Sequence, residues 1–311
     1  MKRALVLLNM GGPNNLDEVK VFLTNMFNDQ NIITVKSALL RSFIAFMITS
    51  TRLKNAQSNY AKLGGKSPLV GYTQHLVNKL QKALPTLQIS FAMRYTPPFC
   101  ESVIKDLMYQ GVEDVILLPL YPHYSTTTTK SSLEDFEETS HTLGFHPKIH
   151  IIEPFYKNSL YNAVLIQKIE EALLGNDPQE MELIFSAHSL PQKIIDNGDP
   201  YQKEITSHVT LLKELLKAKG LHFKNVHLAY QSKLGPVKWL EPTLEYKLHS
   251  LTNKNAFIVP LSFTIDNSET EFELSIEYKE VAEKLGFERY IVARCPNDDD
   301  VFVKCIEALI D

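Results

Sequence analysis

Eight short apolar runs, each followed by a segment of helical periodicity, constrain this chain more than any other feature. The runs are "ALVLLNM" (4–10), "LQISFAM" (87–93), "DVILLPL" (114–120), "KIHIIEP" (148–154), "ELIFSAH" (182–188), "NVHLAYQ" (225–231), "AFIVPLSF" (256–263) and "RYIVARC" (289–295). Most are apolar on both faces, as strands covered by helices on each side must be. Between them, segments such as 72–84, 161–174 and 201–219 carry apolar residues at three- and four-residue steps, the period of an amphipathic helix. Strand and helix alternating through the whole chain predict an α/β fold with parallel sheets. Two doubly wound halves of four strands, divided near residue 155, fit the pattern; a closed eight-fold barrel is the alternative.

The remaining bounds are broad. A chain of 311 residues suggests about two domains. A net charge of -4 without a long basic run argues against nucleic acid as a partner. The opening "MKRALVLLNM" has too short an apolar run for a signal peptide, and Gly11-Gly12-Pro13 breaks it, so it is expected to be a buried first strand. No stretch approaches the ~20 apolar residues of a membrane span. Three widely spaced cysteines, Cys100, Cys295 and Cys305, are not a disulfide framework and point to the cytosol. Three also cannot ligate a four-cysteine iron–sulfur cluster.

In doubly wound folds ligands bind outside the carboxyl ends of the strands. The first run ends in "NMGGPNN" (9–15), where two glycines permit a sharp turn and close backbone approach. The second ends at Arg94, a carboxylate partner or a surface arginine. The third ends in "LPLYPHYSTTTTKSS" (118–132), where Tyr121, His123 and Tyr124 precede hydroxyls suited to open a helix. The fifth ends in "FSAHSLP" (185–191), which places His188 where a buried strand stops. After the seventh run comes "FTIDNSETEFELSIEY" (263–278). In a helix Glu269, Glu273 and Glu277 would drift only ~40° at each step of four, forming one acidic stripe. Such a stripe is either a solvated face or a path for a divalent cation, and carboxylates with imidazole suit ferrous iron. Phe272, Leu274, Ile276 and Tyr278 interleave with the acids and leave no wide polar face. Trp239 follows the sixth run; with Tyr121, Tyr124, Met10 and Phe263 it would supply the apolar wall of a pocket for a flat organic ligand.

Taken together, "LLNMGGP", "GGKSPL" (64–69), "AMRY", "LPLYPHYS", "FSAHSLP", "YQSKLGPVKWL" and "VPLSFTIDNSETEFELSIEY" resemble ferrochelatase, in the family's order and over nearly the full length. The resemblance implies insertion of ferrous iron into a porphyrin, the last step of haem synthesis, with iron as substrate and no cofactor. It implies two four-stranded Rossmann-like domains, 1–155 and 156–298, and a C-terminal helix (299–311) packing back on the first. It makes His188 the active-site histidine and Glu269 its partner acid. Glu273 and Glu277 become the acidic ladder, on a helix wound partly as a π-helix, and the metal path is His188, Glu269, Glu273 and Glu277. Met10, Arg94, Tyr95, Tyr121, Trp239, Phe263, Asp266 and Asn267 are implied at or near the porphyrin, and Ser67 at the lip.

Two departures from the family matter. Asn267 stands where the family has a second histidine, and Asn cannot take up a proton at neutral pH. His123 stands where the family has a glutamine. The segment 35–54, apolar nearly all round with Lys36, Arg41, Arg52 and Lys54, is expected as a pocket lip, a membrane-surface helix, or a buried helix.

Overall fold

All eight expected strands form: β1 (Lys2–Asn9), β2 (Gln88–Met93), β3 (Val112–Pro119), β4 (Lys148–Ile151), β5 (Glu182–His188), β6 (Asn225–Gln231), β7 (Asn255–Pro260) and β8 (Arg289–Val292). The computed structural model describes residues 2–233 and 235–310. Every strand pair is parallel, in two four-stranded sheets ordered β2-β1-β3-β4 and β6-β5-β7-β8. The barrel alternative is thereby excluded. The fold is an α/β chelatase-like architecture of two Rossmann-like halves. In each sheet the chain winds outward one way from its first strand and then the other. The order reverses between β1 and β3, and again between β5 and β7, which makes each of these places a switch point where the loops part.

The central strands are buried because helices cover both faces. Ala4, Val6 and Leu8 of β1 pack with Ile104, Leu107 and Phe136. Ile184 of β5 and Ile258 of β7 pack with Leu244, Leu248 and Leu274. Two of the runs, 114–120 and 256–263, outlast their strands for a shared reason. Pro119 and Pro260 lack an N–H to extend the ladder. In each case the next residue still bonds, Leu120 N–H to the Leu8 carbonyl and Leu261 N–H to the Ser186 carbonyl, both at 2.8 Å. The chain then leaves the sheet.

Two compact units result. The first holds Met1–Tyr121, Ser125–Glu153 and Asp298–Asp311; the second holds Pro122–Tyr124 and Pro154–Asn297. Pro122–Tyr124 joins the second unit because the Pro122 carbonyl accepts from Tyr156 N–H and Tyr124 N–H donates to Glu204. Within the first unit, the helix Asp300–Ile310 packs on the helix Leu69–Ala83, and Lys79 Nζ reaches Asp300 Oδ1 at 2.8 Å. Gly11, just past β1, is constrained twice. Its φ is +90°, and a Cβ there would lie 2.4 Å from Thr96 Oγ1, the atom that accepts from Gly12 N–H.

The segment 35–54 falls mostly within the helix Ala38–Lys62. Ala45 and Thr49 are buried, whereas Leu39, Leu40, Phe43, Phe46 and Met47 are exposed on it. Among the described residues no helix is long and apolar enough to cross a membrane.

Candidate active site

His188 is the last residue of β5, at the switch point of the second sheet. Seven residues past Ser262, where the chain has left β7, Glu269 opens the π-helix Glu269–Glu277, which continues as the helix Tyr278–Lys284. The two side chains meet: His188 Nδ1 lies 2.7 Å from Glu269 Oε2. Burial works against charge on each partner, but their mutual attraction and hydrogen bond prevail. The imidazole is held above its ordinary value and the Glu269 carboxyl below its own. An ionised Glu269 can only accept, so Nδ1–H is the donor and Nε2 is left to exchange protons. The edge of the Phe263 ring flanks the imidazole, with centroids 6.5 Å apart at 82°.

The acidic stripe is tied to a residue that the sequence did not single out. Ser232, one past β6, has φ +66°, a left-handed conformation that is rare outside glycine. That turn aims both its polar groups at the acids. Ser232 N–H donates to Glu273 Oε1 at 2.7 Å, and Ser232 Oγ lies 2.8 Å from Glu269 Oε2 and also within hydrogen-bond distance of Glu273 Oε2. One hydroxyl proton cannot serve two carboxylates. Burial, with the Glu269 charge beside it, pushes the Glu273 carboxyl up to about 7, so a proton on Glu273 completes the set. Gln231 Nε2 adds a longer contact of 3.4 Å to Glu269. Glu277, at the end of the π-helix, is exposed. Among the described residues no three His, Cys, Asp or Glu side chains are grouped so as to hold a metal ion.

Asn267 has a structural task. Its Oδ1 accepts from Glu269 N–H at 2.8 Å, its Nδ2 donates to the Ile265 carbonyl, and its N–H donates to Thr270 Oγ1. It therefore caps the start of the π-helix, as a short amide side chain can. Asn267→Ala is expected to lose ~1 kcal/mol of stability, read from denaturant unfolding. Asp266 is buried and clamped to the loop after β8: Asn297 Nδ2 donates to it at 2.6 Å, Cys295 N–H at 3.2 Å, and Arg294 approaches. Asn297 Oδ1 accepts in return from Asp266 N–H. Trp239 is half-buried, and its backbone bridges that of Pro191, three residues past His188.

The first-unit residues form a separate group. Arg94 is held by Asp135 at 3.2 Å and Asp29 at 3.4 Å, and its Nε donates to Ser131. Tyr95 Oη–H donates to Asp29, and Ser131 bonds to the same carboxylate. Tyr121 Oη meets Ser132 Oγ. Met10 follows β1 half-buried, and its carbonyl accepts from Tyr95 N–H. Nothing in the sequence around Asp29 or Asp135 pairs them with Arg94. His123, which belongs to the second unit, is turned inward: its Nε2 lies 2.9 Å from His208 Nδ1, and burial keeps the imidazole neutral.

The ferrochelatase family model matches residues 2–311. Ferrochelatase of a Nitratiruptor species is 59% identical over 309 residues, covering 99% of this chain and 98% of that protein. Those of Sulfurimonas denitrificans and Helicobacter pylori (strain G27) are 53% and 45% identical, each covering 100% of this chain and 98% and 93% of theirs. Among solved structures, SirB from Bacillus subtilis with Fe3+ superposes with a TM-score of 0.57 at 13% identity, over 99% of this chain and 96% of its own, a likeness of fold alone. A full-length match to the family model, with relatives this close over their whole length, means that the chain belongs to the ferrochelatase family.

Proposed function

We propose that this protein is a ferrochelatase that inserts Fe2+ into protoporphyrin IX to make protohaem. The observation that carries the chemistry is the His188–Glu269 pair, one of whose imidazole nitrogens remains to exchange protons. Free porphyrin holds two pyrrole protons that must leave before a metal enters. His188 accepts them in turn at Nε2, while Glu269 orients the ring and balances its charge. Binding energy from the macrocycle rim bends the ring and exposes its nitrogens. The ladder carries released protons outward, from Glu269 through the Ser232 hydroxyl to Glu273 and on to exposed Glu277. The hydroxyl shared between Glu269 and Glu273 supports protons as its cargo. The proposed substrate-binding set is Met10, Arg94, Tyr95 and Tyr121 in the first unit, with Trp239, Phe263, Asp266 and Asn267 in the second. Asp266 and Asn267 act through the loop they brace.

The test is anaerobic. Purified protein, protoporphyrin IX and Fe2+ should lose free-porphyrin fluorescence as haem forms. Asn267 is the observation that favours a second reading, a chelatase for another metal such as cobalt. Insertion of Co2+ with no insertion of Fe2+ would select it.

The exposed apolar face of the helix Ala38–Lys62 supports a peripheral membrane contact for a cytoplasmic protein, by insertion of Leu39, Phe43 and Phe46 at the lipid interface. The protein should then float with anionic liposomes. The Phe43→Ser/Phe46→Ser variant should stay at the bottom of the gradient.

A further inference from the structure

His188 has a second set of partners, and they hold its backbone. Alternate residues of a parallel strand bond to opposite neighbours. Ser189 N–H donates to the Gln231 carbonyl on β6, so the N–H and C=O of His188 face the β7 side. There the ladder has ended, with Leu261 N–H on the Ser186 carbonyl. Once β7 leaves the sheet, both peptide groups of His188 lose the backbone partners that a longer strand would supply, and buried peptide groups need replacements.

Two side-chain hydroxyls replace them. His188 N–H donates to Ser262 Oγ at 3.0 Å, and Tyr201 Oη–H donates to the His188 carbonyl at 2.9 Å. The hydroxyls themselves lie 2.6 Å apart. Proton accounting sets the direction. The Tyr201 proton is committed to the carbonyl, so Ser262 Oγ–H donates to Tyr201 Oη while its lone pair accepts from His188 N–H. The ring runs from His188 N–H through Ser262 and Tyr201 back to the His188 carbonyl, and each donor is used once. Tyr201 and Ser262 are both buried. Tyr201 is braced in turn: its N–H donates to Asp199 Oδ1 at 3.0 Å, and its ring stands at 83° to that of His123, with centroids 6.2 Å apart.

We infer that Tyr201 and Ser262 are positioning residues of the insertion reaction, which hold the end of β5 so that the His188 imidazole keeps one orientation against Glu269. The inference rests on the role proposed above for His188. Reacting groups misplaced by fractions of an ångström lose rate without losing substrate affinity, because binding is spread over a large ligand and proton transfer is not.

The experiment measures kcat and the porphyrin KM for wild type, Tyr201→Phe, Ser262→Ala and the double variant, at a temperature well below each melting midpoint. It also records the imidazole NMR signals of 15N-histidine protein. Each single variant should lose kcat by about tenfold or more, with KM within about twofold of wild type. The double variant should be little worse than either single, because a ring is broken only once. The His188 signals should shift in both singles. Unchanged kcat in both singles, with or without a lower melting midpoint, would overturn the inference. So would independent, multiplying losses in the double. If wild type itself inserts no iron, the proposed function fails instead. The NMR arm then still decides this inference, and His188 signals unmoved in both variants would end it.

Discussion

His188→Ala is expected to abolish iron insertion while porphyrin still binds. Among the described residues of the second unit's site, the imidazole is the group both aimed at Glu269 and able to cycle a proton near neutral pH. General-base catalysis of this kind contributes roughly 10²–10⁴-fold. A loss of that size in kcat, beside near-normal quenching of porphyrin fluorescence on binding, separates a chemical role from a binding one. Near-normal turnover would remove His188 from the mechanism. The substitution leaves the sheet untouched, because His188's ladder and hydroxyl bonds are made by its backbone.

The second large effect is in pH dependence, through Glu269→Gln. In the wild type, burial opposes charge on His188, but the Glu269 carboxylate outweighs it and raises the imidazole above 6.5. A base must be unprotonated to act, so kcat/KM should rise with pH through a midpoint above 6.5. In Glu269→Gln burial remains, the larger attraction is gone and only that of Glu273 is left, so the midpoint should fall below that of the wild type, and the maximal rate should drop by about tenfold or more as the ring loses its orienting partner. Glu273, freed of its charged neighbour, should also fall below its present value of about 7. The pair leaves a matching trace in stability. His188's raised value favours the folded state below about 6.5, and that contribution is lost as pH climbs through its folded value. Glu269's lowered value favours the folded state above the usual carboxylate range, and that contribution is lost on acidification. An unmoved midpoint in Glu269→Gln would mean that the 2.7 Å contact does not set the proton affinity of His188.

The strands were legible because their signal is local. A parallel strand covered by helices must be apolar on both faces, and most of the eight runs are. The prolines that end β3 and β7 were equally visible, and they mark where the chain must turn away from the sheet. The placing of His188 at a strand end and of the acids at steps of four follows from the same one-dimensional reading. The choice between one barrel and two sheets does not, because alternation of strand and helix is common to both and only the pairing order distinguishes them.

What the sequence by itself determined is the alphabet of the site: a histidine closing the fifth strand, a run of acids after the seventh, and the family to which their motifs point. The tertiary structure decided which groups meet. Ser232 reaches two carboxylates only because its backbone is left-handed, and Asp29 finds Arg94 from a distant part of the chain. Tyr201 and Ser262 close on the two peptide groups of His188 from separate segments. Asn267, which as a sequence letter is a lost histidine, is in space the cap of the helix that carries Glu269. Pattern along a chain records what each residue prefers to be near, water or core. Short hydrogen bonds depend on where segments distant in sequence are brought by packing, and that is fixed only when the sheets have formed.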